Sequence, residues 1–276
     1  MPLFCDTALA ARIERAEARL IAEAAEAARR GSAAAGFVKP IAGGVASFAG
    51  PGSPFNKVAG LGFGGVPSAA ALDEVEDAFA ARGAPVQIEL AHLGDPAIGV
   101  LLSERGYALT SFENVLGRAI DEAPRQATPS GIEIRASGEE EFDAWLAVVA
   151  DGFAHPDGQG VPSHEDFPRA VLERAERDFA TAGVTRYIAL LDGAVAGGAS
   201  FHTADGVAQL AGAATAPAHR RRGVHTALLT ARLADAAAAG CDVAVVTTQP
   251  GSQSQENVQR HGFDLLYTRA ILVKQT

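Results

Sequence analysis

The spacing of apolar and polar positions sets out the elements of this chain in order. From Asp6 to Arg30, Leu9, Ile13, Ala16, Leu20 and Ala24 recur at three- and four-residue steps, which predicts one long helix ended by Arg29-Arg30-Gly31. A glycine-rich stretch of β character, GFVKPIAGGVASFAG, leads through the turn PGSP to a strand in FNKVAGLGF. A helix is expected from Ser68 to Arg82, stopped by Gly83, then a strand in PVQIEL, a helix from Asp95 to Arg105, and a strand from Phe112 to Leu116. The segment from Asp121 to Gly131 is polar, holds two prolines and reads as a linker.

Beyond it a similar order returns. GIEIRAS is a strand, and EEEFDAWLAVVADGF a helix with Phe142, Trp145, Leu146 and Val149 on one face. A second helix is expected from Glu165 to Ala182. Two hairpins follow, turning on Asp192-Gly193 and Asp205-Gly206, since Asp-Gly pairs accept the left-handed backbone of two-residue hairpin loops. Next come a helix ending at Gly240, the strand DVAVVTT, a short helix, Gly262-Phe263 and a closing strand TRAILV. Three landmarks repeat in order between the halves: GGVASF at Gly43 with GGASF at Gly197, Gly83 with Gly240, and Gly106-Tyr107 with Gly262-Phe263. Their nearly constant offset points to a duplication.

Composition narrows the classes. With 276 residues, 48% hydrophobic and 20% charged, the chain can bury a sizeable core in one large domain or two ordinary ones. A net charge of -10 excludes a general nucleic-acid surface, which needs spread lysine and arginine. Cys5 and Cys241 match no metal spacing, so no metal is expected. Arg12, Glu14, Arg15, Glu17 and Arg19 interrupt the alanine-rich segment after Cys5, and no apolar run is long enough to span a bilayer. The expectation is a cytoplasmic protein, monomer or homodimer, without a membrane or nucleic-acid partner.

Against that acidic background, PAHRRRGVHTALL concentrates positive charge where helical periodicity begins. A helix start presents unpaired N–H groups and partial positive charge, and so receives anions. Gly223 permits close approach of a ligand, and the arginines add charge, which suits a pyrophosphate. The run ATAPAHRRRGVHTALL resembles the cofactor motif of the GNAT superfamily of acyl-CoA-dependent N-acyltransferases, with Arg220, Gly223 and His225 on the three motif positions. The likeness extends from Gly131 to Lys274, and the first half resembles a degenerate copy.

The resemblance implies an α/β (or α+β) fold of two GNAT-like domains, each a mixed, largely antiparallel sheet flanked by helices. Residues 1–120 would form the degenerate domain, 121–131 the linker and 132–276 the catalytic domain. It implies that Ala213, Ala214 and Thr215 meet pantetheine and the thioester, and that Arg220, Arg221, Arg222, Gly223, Val224, His225 and Thr226 hold the CoA diphosphate. Acetyl-CoA would be the co-substrate, and an amine of a small molecule or protein would attack it directly. This chain departs from the family in two places: His225 replaces a glycine or alanine, and Val258 stands where many members carry a tyrosine acid. Ser254 is then the candidate acid, with helix capping as its other role. Asp151, His155, His164 and His202 are candidates for the base or for gripping the acceptor.

Two other readings remain open. One is a non-catalytic acyl-CoA-binding regulatory module. The other is a dinucleotide site, because Gly60-Leu61-Gly62-Phe63-Gly64-Gly65 spells a GxGxxG run before a helix, with Glu89 at the end of the next strand.

Overall fold

A computed structural model describes residues 2–31, 36–120, 130–156, 158–163 and 167–275. The first part of the chain forms α1 (Thr7–Gly31), β1 (Phe37–Ile41), β2 (Gly44–Phe48), β3 (Lys57–Leu61), α2 (Ala69–Ala80), β4 (Val86–Ala91), α3 (Pro96–Glu104) and β5 (Ala108–Ala119). After residues 121–129, which lie outside the described set along with most of the expected linker, come β6 (Ile132–Ala136), α4 (Phe142–Ala154) and α5 (Arg169–Thr181). Then follow β7 (Thr185–Leu191), β8 (Ala194–Ala204), β9 (Val207–Thr215), α6 (Val224–Ala238), β10 (Val243–Thr248), α7 (Gln253–Arg260) and β11 (Asp264–Lys274). Short 3-10 turns occupy Glu139–Glu141 and Pro217–His219. No described helix is long and apolar enough to cross a membrane.

The elements form two compact units, and each unit draws on both sides of the linker. The first comprises Met1–Leu116, Gly160–Ala182 and Thr247–Thr276; the second comprises Gly117–Gln159 and Gly183–Val246.

In the first unit the strand order is β1-β2-β3-β4-β11-β5. β1/β2, β2/β3 and β4/β11 are antiparallel, while β3 and β4 are parallel. The alanine-rich α1 lies close against α5: Ile21, Ala24, Ala25 and Ala28 share a buried cluster with Phe55 and Ala175. Phe55 and Phe179 meet edge to face at 4.7 Å. A second cluster joins Leu72, Val75 and Phe79 of α2 and Ile98 and Leu102 of α3 to Val58 and Ile88 of the sheet. Burying each such side chain contributes roughly 1.5–3 kcal/mol.

Charge is also buried in this unit. Glu14 Oε1 accepts from Arg269 Nε at 2.7 Å and from the Tyr267 hydroxyl at 2.6 Å, and Arg269 reaches Glu17 Oε2 at 3.3 Å. Burial pushes the Glu14 carboxyl above its usual range, while Arg269 and Tyr267 pull it back. Glu89 takes the Lys57 ammonium at 2.5 Å, with Arg269 3.8 Å away.

The second unit has the strand order β10-β9-β8-β7-β6, with β9 and β10 parallel and the pairs β6/β7, β7/β8 and β8/β9 antiparallel. Both Asp-Gly turns are left-handed at both residues, Asp192 and Gly193 at φ 52° and 81° and Asp205 and Gly206 at 52° and 76°, as two-residue hairpins require. Adjacent glycines let helices close on both faces. A side chain at Gly198 would strike Trp145 and Val149 of α4, and one at Gly197 would strike Val224 of α6. Trp145 Nε1 donates to the Tyr187 carbonyl at 3.0 Å, which satisfies its buried N–H.

Candidate functional site

The site grows from β9. It pairs with β10 over three positions, Val207 with Val243, Ala208 with Ala244 and Gln209 with Val245, then continues to Thr215 without further pairing to that strand. The β8–β9 register slips between Gly198 opposite Ala214 and Ser200 opposite Ala211, so β9 carries one extra residue, and Gly212 there has φ 58°. Such a bulge bends and twists its strand, which accounts for the parting from β10. Arg232 of α6 braces it: Nη1 donates to the Ser200 carbonyl at 3.0 Å and the Ala211 carbonyl at 3.3 Å. Burial pushes the pKa of this guanidinium down to about 10.

After Thr215 the chain makes its 3-10 turn and reaches Arg221 at φ 60° and Gly223 at φ 87°. A non-glycine residue in the left-handed region costs on the order of 1 kcal/mol and is tolerated where the surroundings fix it. Left-handed residues set between right-handed or extended ones turn successive N–H groups towards one side, forming an anion-binding concavity. α6 begins at Val224; among the described residues no side chain caps it at Gly223, and the Ala227 N–H donates to the Gly223 carbonyl at 3.0 Å. The backbone from Arg221 to Thr226 thus meets both requirements of an anion site, a helix start and an uncapped end.

The arginine side chains divide their work. Arg220 turns back onto the protein: Nε lies 3.4 Å from the Thr215 carbonyl, and Nη2 donates to the carbonyls of Gly152 (3.4 Å) and His155. It thereby caps the last carbonyls of α4, a favourable place for a cation. Arg222 makes an exposed pair with Asp192 at 3.2 Å, and the Arg221 side chain is exposed.

The other expected site residues lie as follows. Ala214 pairs with Gly198 and Thr215 with Gly197, beyond the point where β10 departs, with Ala213 beside them at the bulge. The Thr215 hydroxyl is buried without a hydrogen-bond partner among the described residues. Val224 is buried, and His225 and Thr226 stand half-buried in the first turn of α6. Asp151 and His155 are exposed at the end of α4, with His155 Nδ1 3.2 Å from the Asp151 carboxylate. His164 lies outside the described residues. His202 is buried on β8, its Nδ1 3.2 Å from Gln209 Oε1. Ser254 is exposed on α7; the helix is capped by Ser252, whose Oγ accepts from the Gln255 N–H, and Val258 is buried.

Gln209 was not anticipated from the sequence. The signal was present: a two-residue turn at Asp205-Gly206 puts Ala204 opposite Val207, and counting back puts His202 opposite Gln209. Among the described residues, no group of three or more His, Cys, Asp or Glu side chains is placed to hold a metal ion.

The glycine run of the first unit is occupied by its own backbone. A Cβ on Gly64 would lie 2.5 Å from the Ala42 carbonyl oxygen, and one on Gly62 would lie 3.0 Å from Gly94 Cα. Ser68 caps α2 by accepting from the Ala71 N–H at 3.2 Å. Glu89, the residue a dinucleotide reading needs for a ribose, is buried against Lys57 and Arg269.

Residues 153–263, from the end of α4 through the uncapped turn to the last helix, match the acetyltransferase (GNAT) family. That match spans well under half of the chain, so it marks this stretch as similar to GNAT acetyltransferases. No curated protein matches the sequence. Among solved structures, a GCN5-related N-acetyltransferase from Kribbella flavida is 19% identical over 94% of this chain and 95% of its own, with a TM-score of 0.67. A tandem GNAT protein from the clavulanic acid biosynthesis pathway is 14% identical over 93% and 92%, at a TM-score of 0.60. A GCN5-related N-acetyltransferase from Sphaerobacter thermophilus is 17% identical over 75% of this chain and 65% of its own, at 0.53. At these identities the likeness is one of fold: a mixed, largely antiparallel α/β architecture, similar over nearly its whole length to a tandem GNAT protein.

Proposed function

We propose that the chain transfers an acetyl group from acetyl-CoA to an amine of a small molecule or protein, by direct attack of the amine on the thioester. The observation that carries this reading is the uncapped start of α6, with Arg221 and Gly223 both left-handed, directly after a strand that has parted from its parallel neighbour. In this reading the amides of residues 221–226 hold the diphosphate, with Arg221 and Arg222 adding charge from outside the turn. The pantetheine arm runs along Ala213, Ala214 and Thr215, where β9 has backbone groups unused by β10, and backbone donors there stabilise the tetrahedral oxyanion. Holding amine and thioester together supplies a large part of the rate.

Calorimetric titration with acetyl-CoA tests the reading. Wild type is expected to bind one equivalent, and Gly223→Glu to lose at least about 100-fold in affinity, about 2.8 kcal/mol, because the carboxylate faces the diphosphate and the left-handed backbone disfavours a side chain. No binding by wild type ends the proposal.

A second reading, an acyl-CoA-binding module without turnover, is favoured by the buried Val258 and the exposed Ser254 on α7, which leave that helix without an evident acid. Thiol release from acetyl-CoA with a broad amine panel separates the two: release supports transfer, and binding without release on any amine supports the module. The glycine turn of the first unit, closed by its own backbone and by Ser68, takes no nucleotide in either reading.

A further inference from the structure

Among the strands of the second unit, one row of residues stands out chemically. His202 on β8, Gln209 on β9 and Val245 on β10 lie side by side, and theirs is the last row before β9 and β10 part. Anything entering between the parted strands ends against this row. The sequences of β8, β9 and β10, AVAGGASFHTA, VAQLAGAAT and VAVVTT, hold a single titratable side chain, His202.

Its surroundings are polar and buried. Gln209 Oε1 faces His202 Nδ1 at 3.2 Å, and an amide oxygen only accepts, so in this pairing Nδ1–H is the donor and Nε2 is the ring nitrogen left for another partner. Gln209 Nε2 and Ser200 Oγ, on residues 5% and 2% exposed, have no hydrogen-bond partner among the described residues. Ser200 and His202 are two residues apart on one strand and so project from the same face. Buried polar atoms are almost always paired, so two unpaired groups flanking a buried imidazole mark a place for a polar ligand. Gly212 keeps that place clear, since a Cβ there would stand 3.2 Å from Ser200 Oγ.

We infer that His202 is the proton acceptor for the incoming amine, with Gln209 as the positioning residue that fixes its tautomer. The inference rests on the acetyl-transfer reading above. The amine nitrogen forms its bond to the thioester carbonyl carbon, and the nitrogen's surplus proton passes to His202 Nε2. The carbonyl re-forms as the carbon–sulfur bond breaks, and the imidazolium proton goes to the departing sulfur, leaving amide and free CoA thiol. Ser200 Oγ and Gln209 Nε2 hold the polar atoms of the acceptor beside its amine.

The test is nitrogen-15 NMR of the histidine side chains, with calorimetry of acetyl-CoA on the same samples. The His202 resonances are assigned as those lost in His202→Gln. Should that variant fail to fold, Gln209→Glu, which keeps an acceptor at Nδ1, shifts the same resonances and assigns them. The expected result is a neutral imidazole protonated at Nδ1, a shift of its Nε2 signal on addition of acetyl-CoA, and loss of the tautomer preference in Gln209→Leu. Acetyl-CoA that binds while the Nε2 signal stays fixed, or an imidazole protonated at Nε2, overturns this assignment alone. Acetyl-CoA that does not bind overturns the transfer reading and this inference with it.

Discussion

Both sequence halves run a strand into a turn and the turn into a helix, yet the two turns are finished in opposite ways. Gly60 within β3, and Gly62 and Gly65 after it, take left-handed backbone, and the run packs against the backbone of residues 42–43 and 94. Ser68 then occupies the helix start with its own hydroxyl. β3 and β4 pair at Val58–Ile88 and, across a register slip, again at Leu61–Leu90, where β3 ends. After β9 the arrangement differs in the strand ends and in the helix start. The strands separate after three pairs, the left-handed residues are an arginine and one glycine, and the helix start has no side-chain cap. A glycine-rich strand–turn–helix is therefore no ligand site in itself. What separates the two turns is whether the protein satisfies the helix amides itself and whether the parallel strands stay together.

The largest effect that would break this comparison belongs to Gly64→Ala. Its Cβ would meet Ala42 O at 2.5 Å, and Ala42 C and Gly43 Cα at 2.6 Å, all backbone atoms that cannot rotate away. Overpacking of this kind costs about 1–3 kcal/mol, and the backbone contacts place this case at the upper end. Urea unfolding is expected to show that loss, with acetyl-CoA affinity unchanged below the transition. Unaltered stability would mean that the glycine turn is loose, and its closure would cease to explain the difference.

Much of this was legible in sequence because it is local. The Asp-Gly hairpins, the helix start at Ser68, the glycines ending α2 and α6, and the helix start after Gly223 each depend on a few neighbouring residues. Pairing of β11 with β4 joins Arg269 to Ala91, and no local pattern carries that partnership. The buried Glu14–Arg269–Glu89 charges depend on it: in sequence Glu89 reads as the acid of a dinucleotide unit, and nothing local joins it to Arg269 or Glu14. Helix α5 likewise has an amphipathic pattern but nothing that names α1 as its neighbour. Arg220 was read as a phosphate ligand from its place in the motif, and only coordinates show its side chain turned to the carbonyls at the end of α4.

That side chain is the next test, with a smaller effect. Hydrogen bonds from a charged donor contribute roughly 1.5–3 kcal/mol, and the half-exposed position of Arg220 places its loss at the low end. Arg220→Gln is expected to lower stability by about 1.5 kcal/mol and to speed amide hydrogen exchange at the end of α4. Acetyl-CoA affinity should fall by less than about tenfold, because main-chain amides hold the diphosphate. A larger loss of affinity, without faster exchange, would show the guanidinium on the phosphate and would restore a side-chain role to the motif's first position.

Ser68→Ala carries the smallest effect and bears most directly on the comparison. Removing a serine cap costs about 1 kcal/mol, because one helix N–H loses its partner while the others are unchanged. Measured by urea unfolding, the midpoint should fall with the slope preserved. The same deletion also strips α2 of its cap and so makes its start resemble that of α6 in the one respect that sequence can imitate. If an uncapped helix start after a glycine turn were sufficient, Ser68→Ala would bind a second equivalent of acetyl-CoA. The expected stoichiometry remains one, because Gly64 still lies against Ala42 and β3 still lies against β4, leaving no gap for a pantetheine arm. A second equivalent would show that capping alone decides between the two turns, and that the parting of β9 from β10 is incidental.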